Sequence, residues 1–515
     1  MQDSDRMAVE QENTHGSTAA NPLDLLIIGG GINGVGIARD AAGRGASVML
    51  LEQDDLGKFT SSSSSKLIHG GLRYLENYDF RLVRHSLRER EVLLGNAPHI
   101  IWPLRFILPH HRSLRPRWLI RLGLFIYDHL AKRKLLPDSG NVDLTQHVGG
   151  EPLKAEYRYG FEYSDCWVQD ARLVILNAMD ARRCGADIRP RNKCIGLERG
   201  SRQWTAMVEH QHDGRVYQVH ARAVVNAAGP WVEQVSGMDP QSQPAHGIRL
   251  VKGSHIIVDK LFDHNYVYIF QNRDGRIMFA IPYEGEFTLL GTTEVEIHGD
   301  PGSAQVAEEE IRYICDNASN YFRNPVRPED VRYSYAGVRP LFDDASKNAS
   351  KTTRDYVLHL DNAGPEIVSV YGGKITTYRV LAEQVTDMLQ QRSNMSSESW
   401  TADCSLPGGD IDVEGFGLFA ERCKERYGWA DSDLIDRLCR SYGTLINEVL
   451  NGCNGIGDLG LRLAGNLYER EARYLVNNEW AQTAEDILWR RTKLGMTVSN
   501  EDVQRLERWL KNTTV

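Results

Sequence analysis

Apolar and polar positions alternate differently along this chain, and each texture predicts its own kind of element. Residues 24–28 (DLLII) form a short apolar run that reads as a buried strand, and 47–51 (SVMLL) reads as the next parallel strand. A glycine-rich turn and a helix lie between them. A further helix is predicted over 80–96, ending before Pro98 because the residue ahead of a proline disfavours helical backbone. Residues 200–300 are rich in short β-branched and aromatic runs (RQWTAMVEH, RVYQVHARAVVNAAG, GSHIIVD, YVYIFQ, RIMFAIPY, FTLLGTT). Arg273-Asp274-Gly275-Arg276 suits a hairpin turn between two of them. A sheet built from these runs would interrupt the α/β unit that opens the chain and sit over it as a cap. Beyond Leu406-Pro407-Gly408-Gly409 the pattern becomes helical, and two segments open with S/T-x-x-D starts, Thr483 with Asp486 and Ser499 with Asp502. No repeat of solenoid length is present.

Composition narrows the class. At 515 residues the chain exceeds one comfortable core, so two or three domains are expected, and 41% hydrophobic with 25% charged residues is globular. Eight cysteines without any C-x-x-C argue against a zinc site or disulfide scaffold and suit a reducing compartment, so no metal is expected. The net charge of −9 disfavours nucleic acid as a partner. The first 20 residues are polar and resemble no secretory signal, which makes 1–22 a disordered lead. No stretch has the roughly 18 apolar residues of a spanning helix.

Gly29, Gly31 and Gly34 give G-x-G-x-x-G at the turn from strand into helix. The first glycine permits the tight turn, the second lets backbone approach a pyrophosphate, and the third lets the helix lie close on the strand. Glu52, ending the second strand, stands where a carboxylate takes hydrogen bonds from the adenosine ribose. Strand, triplet, helix, strand and terminal acid together specify a dinucleotide. Two later segments favour a flavin over a nicotinamide. Residues 223–231 (AVVNAAGPW) are a strand ending in small residues, where backbone can pass close to a ligand. Residues 367–384 read strand, Gly372-Gly373, helix, and a helix N-terminus aimed at an isoalloxazine would stabilise the negative charge of its reduced form. The serine run at 61–65 is equally consistent with a linker and with cofactor contacts.

The motifs GGGINGVGIARDAAGRG, SSSKLIHGGLRYLE, GFEYSDCWVQDARL, NAAGPW, IRLVKGSHI, GTTEVE, GVRPL, TRDY, YGGKITTYR and LWRRTKLGM appear in this order. The series resembles the FAD-dependent, quinone-linked sn-glycerol-3-phosphate dehydrogenases of bacteria, over residues 23–510. The resemblance implies an α/β fold: a Rossmann-like FAD-binding domain with an inserted antiparallel β substrate cap and a C-terminal helical domain. The expected divisions are 23–394 for the FAD domain, with cap segments at about 100–165 and 240–350, and 395–515 for the helical domain. It further implies FAD as cofactor, oxidation of sn-glycerol 3-phosphate to dihydroxyacetone phosphate by hydride transfer from C2 to flavin N5, electron transfer to a membrane quinone, and a homodimer on the cytoplasmic face of the inner membrane.

Cofactor contacts then fall to Gly29, Gly31, Asn33, Gly34, Glu52, Ser62, Ser63, Ser65, Lys66, Leu67, His69, Gly70, Gly71, Ala227, Gly229, Trp231, Gly372, Gly373, Lys374 and Thr376. A dianionic phosphate calls for cations, and Arg339, Arg354 and Lys374 match basic positions that the family uses for substrate, with Arg73 and Tyr74 as further wall residues. Removing the alcohol proton needs a base, for which His255 comes before His69; Arg339 can also polarise the developing alkoxide.

Residues 105–134 hold eight Arg or Lys and a single acid, Asp128, interleaved with apolar side chains. A basic, aromatic helix here suits an anionic bilayer surface, with Arg115, Arg117, Trp118, Arg121 and Phe125 as contacts. A core-packing helix with a basic rim is the structural alternative. Two functional alternatives remain open: an oxidase of the same fold that uses oxygen, and a non-catalytic, RNA-associated flavoprotein supported only by this basic stretch.

Overall fold

The computed structural model describes residues 17–112, 114–132, 135–241, 247–343, 355–390, 395–396 and 398–513. Arg354 and most of the predicted N-terminal lead lie outside these residues.

The first sheet has eight strands. Leu23–Ile28, Val48–Leu51, Asp187–Arg189, Val216–Asn226 and Ile367–Tyr371 run parallel, and Val357–Asp361 closes one edge antiparallel. The apolar run at 24–28 is continuous because both faces of its strand are covered. Leu25 and Ile27 join the core under the helices, while Leu26 and Ile28 join a second core on the opposite face. Each such side chain contributes about 1.5–3 kcal/mol when fully buried. Helix Ile32–Gly43 packs between helices Asp170–Arg183 and Tyr378–Leu389.

The second sheet has ten strands and carries the cap. Its long members are Ile101–His110, Tyr159–Val168, Ile248–Asp259, Ile277–Tyr283 and Val331–Phe342. The 272–276 segment is a hairpin turn, with Gly275 at φ +80° and Gln271 paired to Ile277. One expectation needs correction. The runs at Trp204–His210 and Val216–Asn226 belong to the nucleotide sheet, not the cap, because the latter pairs in parallel with the first strand and so carries Ala227 and Ala228 to the glycine turn.

Residues 17–22 are also held, unlike the predicted loose lead. Ser17 Oγ donates to the His220 carbonyl at 3.0 Å, and the Thr18 side chain accepts from the Asn21 amide.

After residue 395 the chain is largely helical, in Phe416–Arg426, Ser432–Tyr442, Glu469–Glu479 and Asn500–Thr513. Both S/T-x-x-D starts close reciprocally: the Asp486 amide donates to Thr483 Oγ1 and the Thr483 amide to Asp486, with the same exchange between Ser499 and Asp502. Asp486–Arg491 winds as one turn of π-helix rather than α-helix. This region is not separately cored. Leu434, Leu475 and Ile487 share one continuous apolar cluster with Val35, Ile37 and Leu381 of the nucleotide half.

Candidate active site

A single cavity runs along the C-terminal ends of the central parallel strands and beneath the cap sheet. At the first turn, Gly29 sits at φ +113°, and a Cβ there would lie 2.4 Å from the Ala227 carbonyl oxygen. A Cβ on Gly34 would lie 1.8 Å from the Gly29 oxygen, so the third glycine does set the helix against the turn. Gly30, at the motif's first variable position, is also crowded: a Cβ there would lie 2.7 Å from Glu52 Cβ and 2.8 Å from Leu56.

Glu52 is buried, and both its oxygens accept backbone amides, Gly30 at 2.7 Å and Asp54 at 2.8 Å. Burial pushes its carboxyl up to about 7, against the lowering effect of those two bonds. Each carboxylate oxygen retains acceptor capacity for a further donor. The serine run is ordered rather than a linker. Ser61 Oγ accepts the Ile32 amide at the start of the first helix, Thr60 Oγ1 donates to the Val338 carbonyl at 2.7 Å, and Tyr335 OH donates to the Ser64 carbonyl at 2.8 Å. Ser65 Oγ and His255 Nε2 lie 2.9 Å apart.

His255 is 4% exposed, stacked on Tyr335 at 4.9 Å, and seated against Gly291, where a Cβ would come within 2.3 Å of the ring. Its pKa is pushed down to about 3, first by burial and then by the positive charges of Lys66 and Arg339. The imidazole is therefore neutral. Arg339 and His255 are brought together by the long antiparallel pairing of Ile248–Asp259 with Val331–Phe342. Lys374 follows Gly372 and Gly373, both at positive φ, and its ammonium lies 4.2 Å over the Tyr74 ring. Arg73 lines the same cavity and donates to the Gly275 carbonyl of the hairpin turn.

Most of the expected cofactor and substrate residues line this cavity, His69, Leu67, Gly71, Gly229, Trp231 and Thr376 included. Gly34, Ser62, Lys66 and Gly70 do not. Lys66 is fully buried, with Nζ 2.9 Å from both oxygens of Asp170 and 3.0 Å from the Ser62 carbonyl. Ser62 Oγ donates to the Lys58 carbonyl, and the Gly70 amide donates to Tyr127 OH. Sequence reasoning passed over Gly253, Gly291 and Gly337, which admit Arg339, His255 and Ser63. Glycine inside a strand marks close approach of another group, and that signal was available.

The basic stretch at 105–134 also needs correction. Its first part is not helical: residues 101–110 form a strand with Phe106, Ile107 and Leu108 buried. The helix is Arg117–His129, with Leu124 and Tyr127 packed inward and Trp118, Leu122 and Phe125 exposed by 68%, 47% and 51%. Arg117 covers the Tyr159 ring, Arg121 donates to Ser139, and Arg115 lies 3.7 Å from Glu76.

Residues 24–379 match the family model described as FAD-dependent oxidoreductase. The chain belongs to this family. Residues 399–512 match the C-terminal domain of alpha-glycerophosphate oxidase. The FAD-dependent oxidoreductase is 51% identical to a glycerol-3-phosphate dehydrogenase of Pseudomonas aeruginosa, over 98% of each chain. It is 47% identical to a D-erythritol 1-phosphate dehydrogenase of Brucella abortus, over 96% of this chain and 98% of the other. It is also similar to the structure of a glycerol-3-phosphate dehydrogenase from Bacillus halodurans complexed with FAD, at 27% identity and TM-score 0.75, covering 95% of this chain and 94% of that one.

The cavity fits FAD, the family's cofactor. Gly29 and Gly31 of the turn line the cavity without side chains of their own, so backbone there faces the ligand space. Among the described residues, Asn33 Oδ1 and Lys374 Nζ are buried atoms on this cavity that have no hydrogen-bond partner. One is an acceptor and the other a donor for a polar ligand.

Proposed function

We propose that the protein oxidises sn-glycerol 3-phosphate at C2 to dihydroxyacetone phosphate and delivers the electrons to a membrane quinone. Arg339, Lys374, Arg73 and a neutral His255 all line the FAD cavity, and their presence there carries this reading, together with the full-length likeness to the Pseudomonas enzyme. The 29–34 turn, Glu52 and residues 372–376 would hold FAD, which when bound would supply a two-electron acceptor for hydride at N5. Arg339 and Lys374 bind the phosphate dianion, with Arg339 offering two parallel donors. His255 removes the hydroxyl proton. Accepting it at Nδ1 requires Nε2–H to donate to Ser65 Oγ, a contact already in place. The dianion beside His255 raises the pKa that burial and the two cations depress, which turns a weak base into a competent one.

The acceptor is lipid-soluble, so the enzyme must reach a bilayer. No helix among the described residues is long and apolar enough to cross one. Trp118, Leu122 and Phe125, spaced i, i+4 and i+7 and rimmed by Arg115, Arg117 and Arg121, suit peripheral attachment to an anionic surface. In this reading a homodimer sits on the cytoplasmic face of the inner membrane. Replacing Arg115, Arg117 and Arg121 with Glu should release the protein from anionic vesicles in a flotation assay, and unchanged flotation would remove this helix from the argument.

The deciding experiment is anaerobic. Adding sn-glycerol 3-phosphate should bleach the flavin bands, a soluble quinone should restore them, and air should restore them only slowly. Rapid recovery in air would make it an oxidase, and a flavin the substrate cannot bleach would overturn the assignment. The likeness to the Brucella enzyme supports a second reading, a longer polyol phosphate as substrate. Comparing kcat/KM for glycerol 3-phosphate and erythritol 1-phosphate separates the two.

A further inference from the structure

The helical C-terminal region reaches the cofactor site through a chain of buried charges. Asp55, three residues beyond Glu52, has a fully buried carboxylate. Its Oδ2 accepts from Arg490 Nε and from Arg491 at 2.5 Å each, and its Oδ1 accepts from Arg491 at 2.8 Å. Arg490 also pairs with Asp486 at 2.5 Å. On its other side Asp486 pairs with Arg191 at 2.9 Å, and Arg191 donates its amide to the Asp54 carbonyl while Asn192 donates to the Glu52 carbonyl. Burial alone would raise Asp486, but Arg191, the Gln482 amide, Arg490 and Arg491 hold it well below the carboxylate range. The 52–55 segment is thus gripped from both flanks by one turn of π-helix, which sets Arg490 and Arg491 on the same carboxylate.

We propose that Asp486–Arg491 is a positioning element of the FAD site: by clamping Asp55 and Arg191, it holds the Glu52 loop in the conformation that receives the dinucleotide. Arg490 and Arg491 do not line the cavity. They act through Glu52, whose amide and carboxylate bonds to Arg189, Gly30 and Asp54 fix the edge of the cavity. Without the clamp, Asp55 would be a buried charge with incomplete partners, and the loop would move to reach water. The inference rests on FAD occupying this cavity.

The test uses the full chain, freed of flavin and retitrated with FAD while its fluorescence quenching is followed. Arg491→Met and Arg191→Gln should each weaken FAD binding about tenfold or more, as expected for losing a hydrogen bond to a charged group. Arg491→Lys should recover part of the loss. Leu475→Ala, in the shared core but away from the clamp, controls for general destabilisation: it should lower the melting temperature and leave FAD affinity unchanged. The proposal is overturned if Arg191→Gln and Arg491→Met keep wild-type affinity, or if Leu475→Ala weakens FAD as much as they do. Should Arg491→Met fail to fold, the Arg191→Gln and Leu475→Ala pair decides alone. If the unmodified protein takes up no FAD, the cofactor assignment fails instead.

Discussion

The glycine turn and the basic wall occupy one cavity but are assembled differently. The turn comes from a single stretch, residues 28–34, closed by Glu52, and it works by the absence of side chains: Cβ atoms at Gly29, Gly30 and Gly34 would all collide with neighbours. The wall collects His69, His255, Arg339 and Lys374 from four distant segments, and in the proposed reaction it would work through charge and proton chemistry. The first kind of site is specified by local sequence and fails when volume is added. The second is specified by strand pairing and fails when charge is removed.

Gly34→Ala tests the contrast most severely. A Cβ 1.8 Å from the Gly29 oxygen cannot be accommodated without separating helix from strand, so the purified protein should lose its flavin, read from the ratio of visible to ultraviolet absorbance. His255→Gln should retain full flavin and slow substrate bleaching by about 10²–10⁴-fold, the range of general-base catalysis, in anaerobic stopped-flow. Retained bleaching with flavin intact would move the base to His69. Arg339→Met should lower kcat/KM roughly 100-fold, with Arg339→Lys milder, because a charge-assisted contact is worth about 1.5–3 kcal/mol.

Glu52 gives the smallest and most specific effect. Its pKa is raised from 4.5 to about 7, so in the cofactor-free protein it contributes stability below 4.5 that is lost as pH rises through 7. In the proposed site ribose hydroxyls would donate to the anion, so FAD binding should work in the opposite sense. FAD affinity should strengthen by about tenfold between roughly pH 6 and 8, and Glu52→Gln should flatten the profile. A profile unchanged by the substitution would place the ribose elsewhere.

The nucleotide half was legible because its signals are local. The runs at 24–28 and 47–51, the glycine spacing and the helix Phe80–Asn96 each appear within a few residues of where periodicity put them. What local pattern could not convey was partner choice. Trp204–His210 and Val216–Asn226 have the composition of cap strands, yet Val216–Asn226 pairs with Leu23–Ile28 and brings Trp204–His210, its own partner, into the nucleotide sheet. Lys66 sits beside expected contact residues in sequence, but Asp170, brought in by another helix, captures its ammonium. In the same way, residues 105–110 look basic and amphipathic until pairing with Tyr159–Val168 makes them a strand.

The bonds from Thr60 to the Val338 carbonyl and from Tyr335 to the Ser64 carbonyl, with Gly337 resting on Ser63, make the Arg339 strand and the loop that anchors the first helix parts of one object. Two ligands that order the same object are thermodynamically linked, and the linkage is reciprocal. A phosphate-bearing competitive inhibitor held by Arg339 should therefore lower the dissociation constant of FAD, and FAD should lower that of the inhibitor by the same factor.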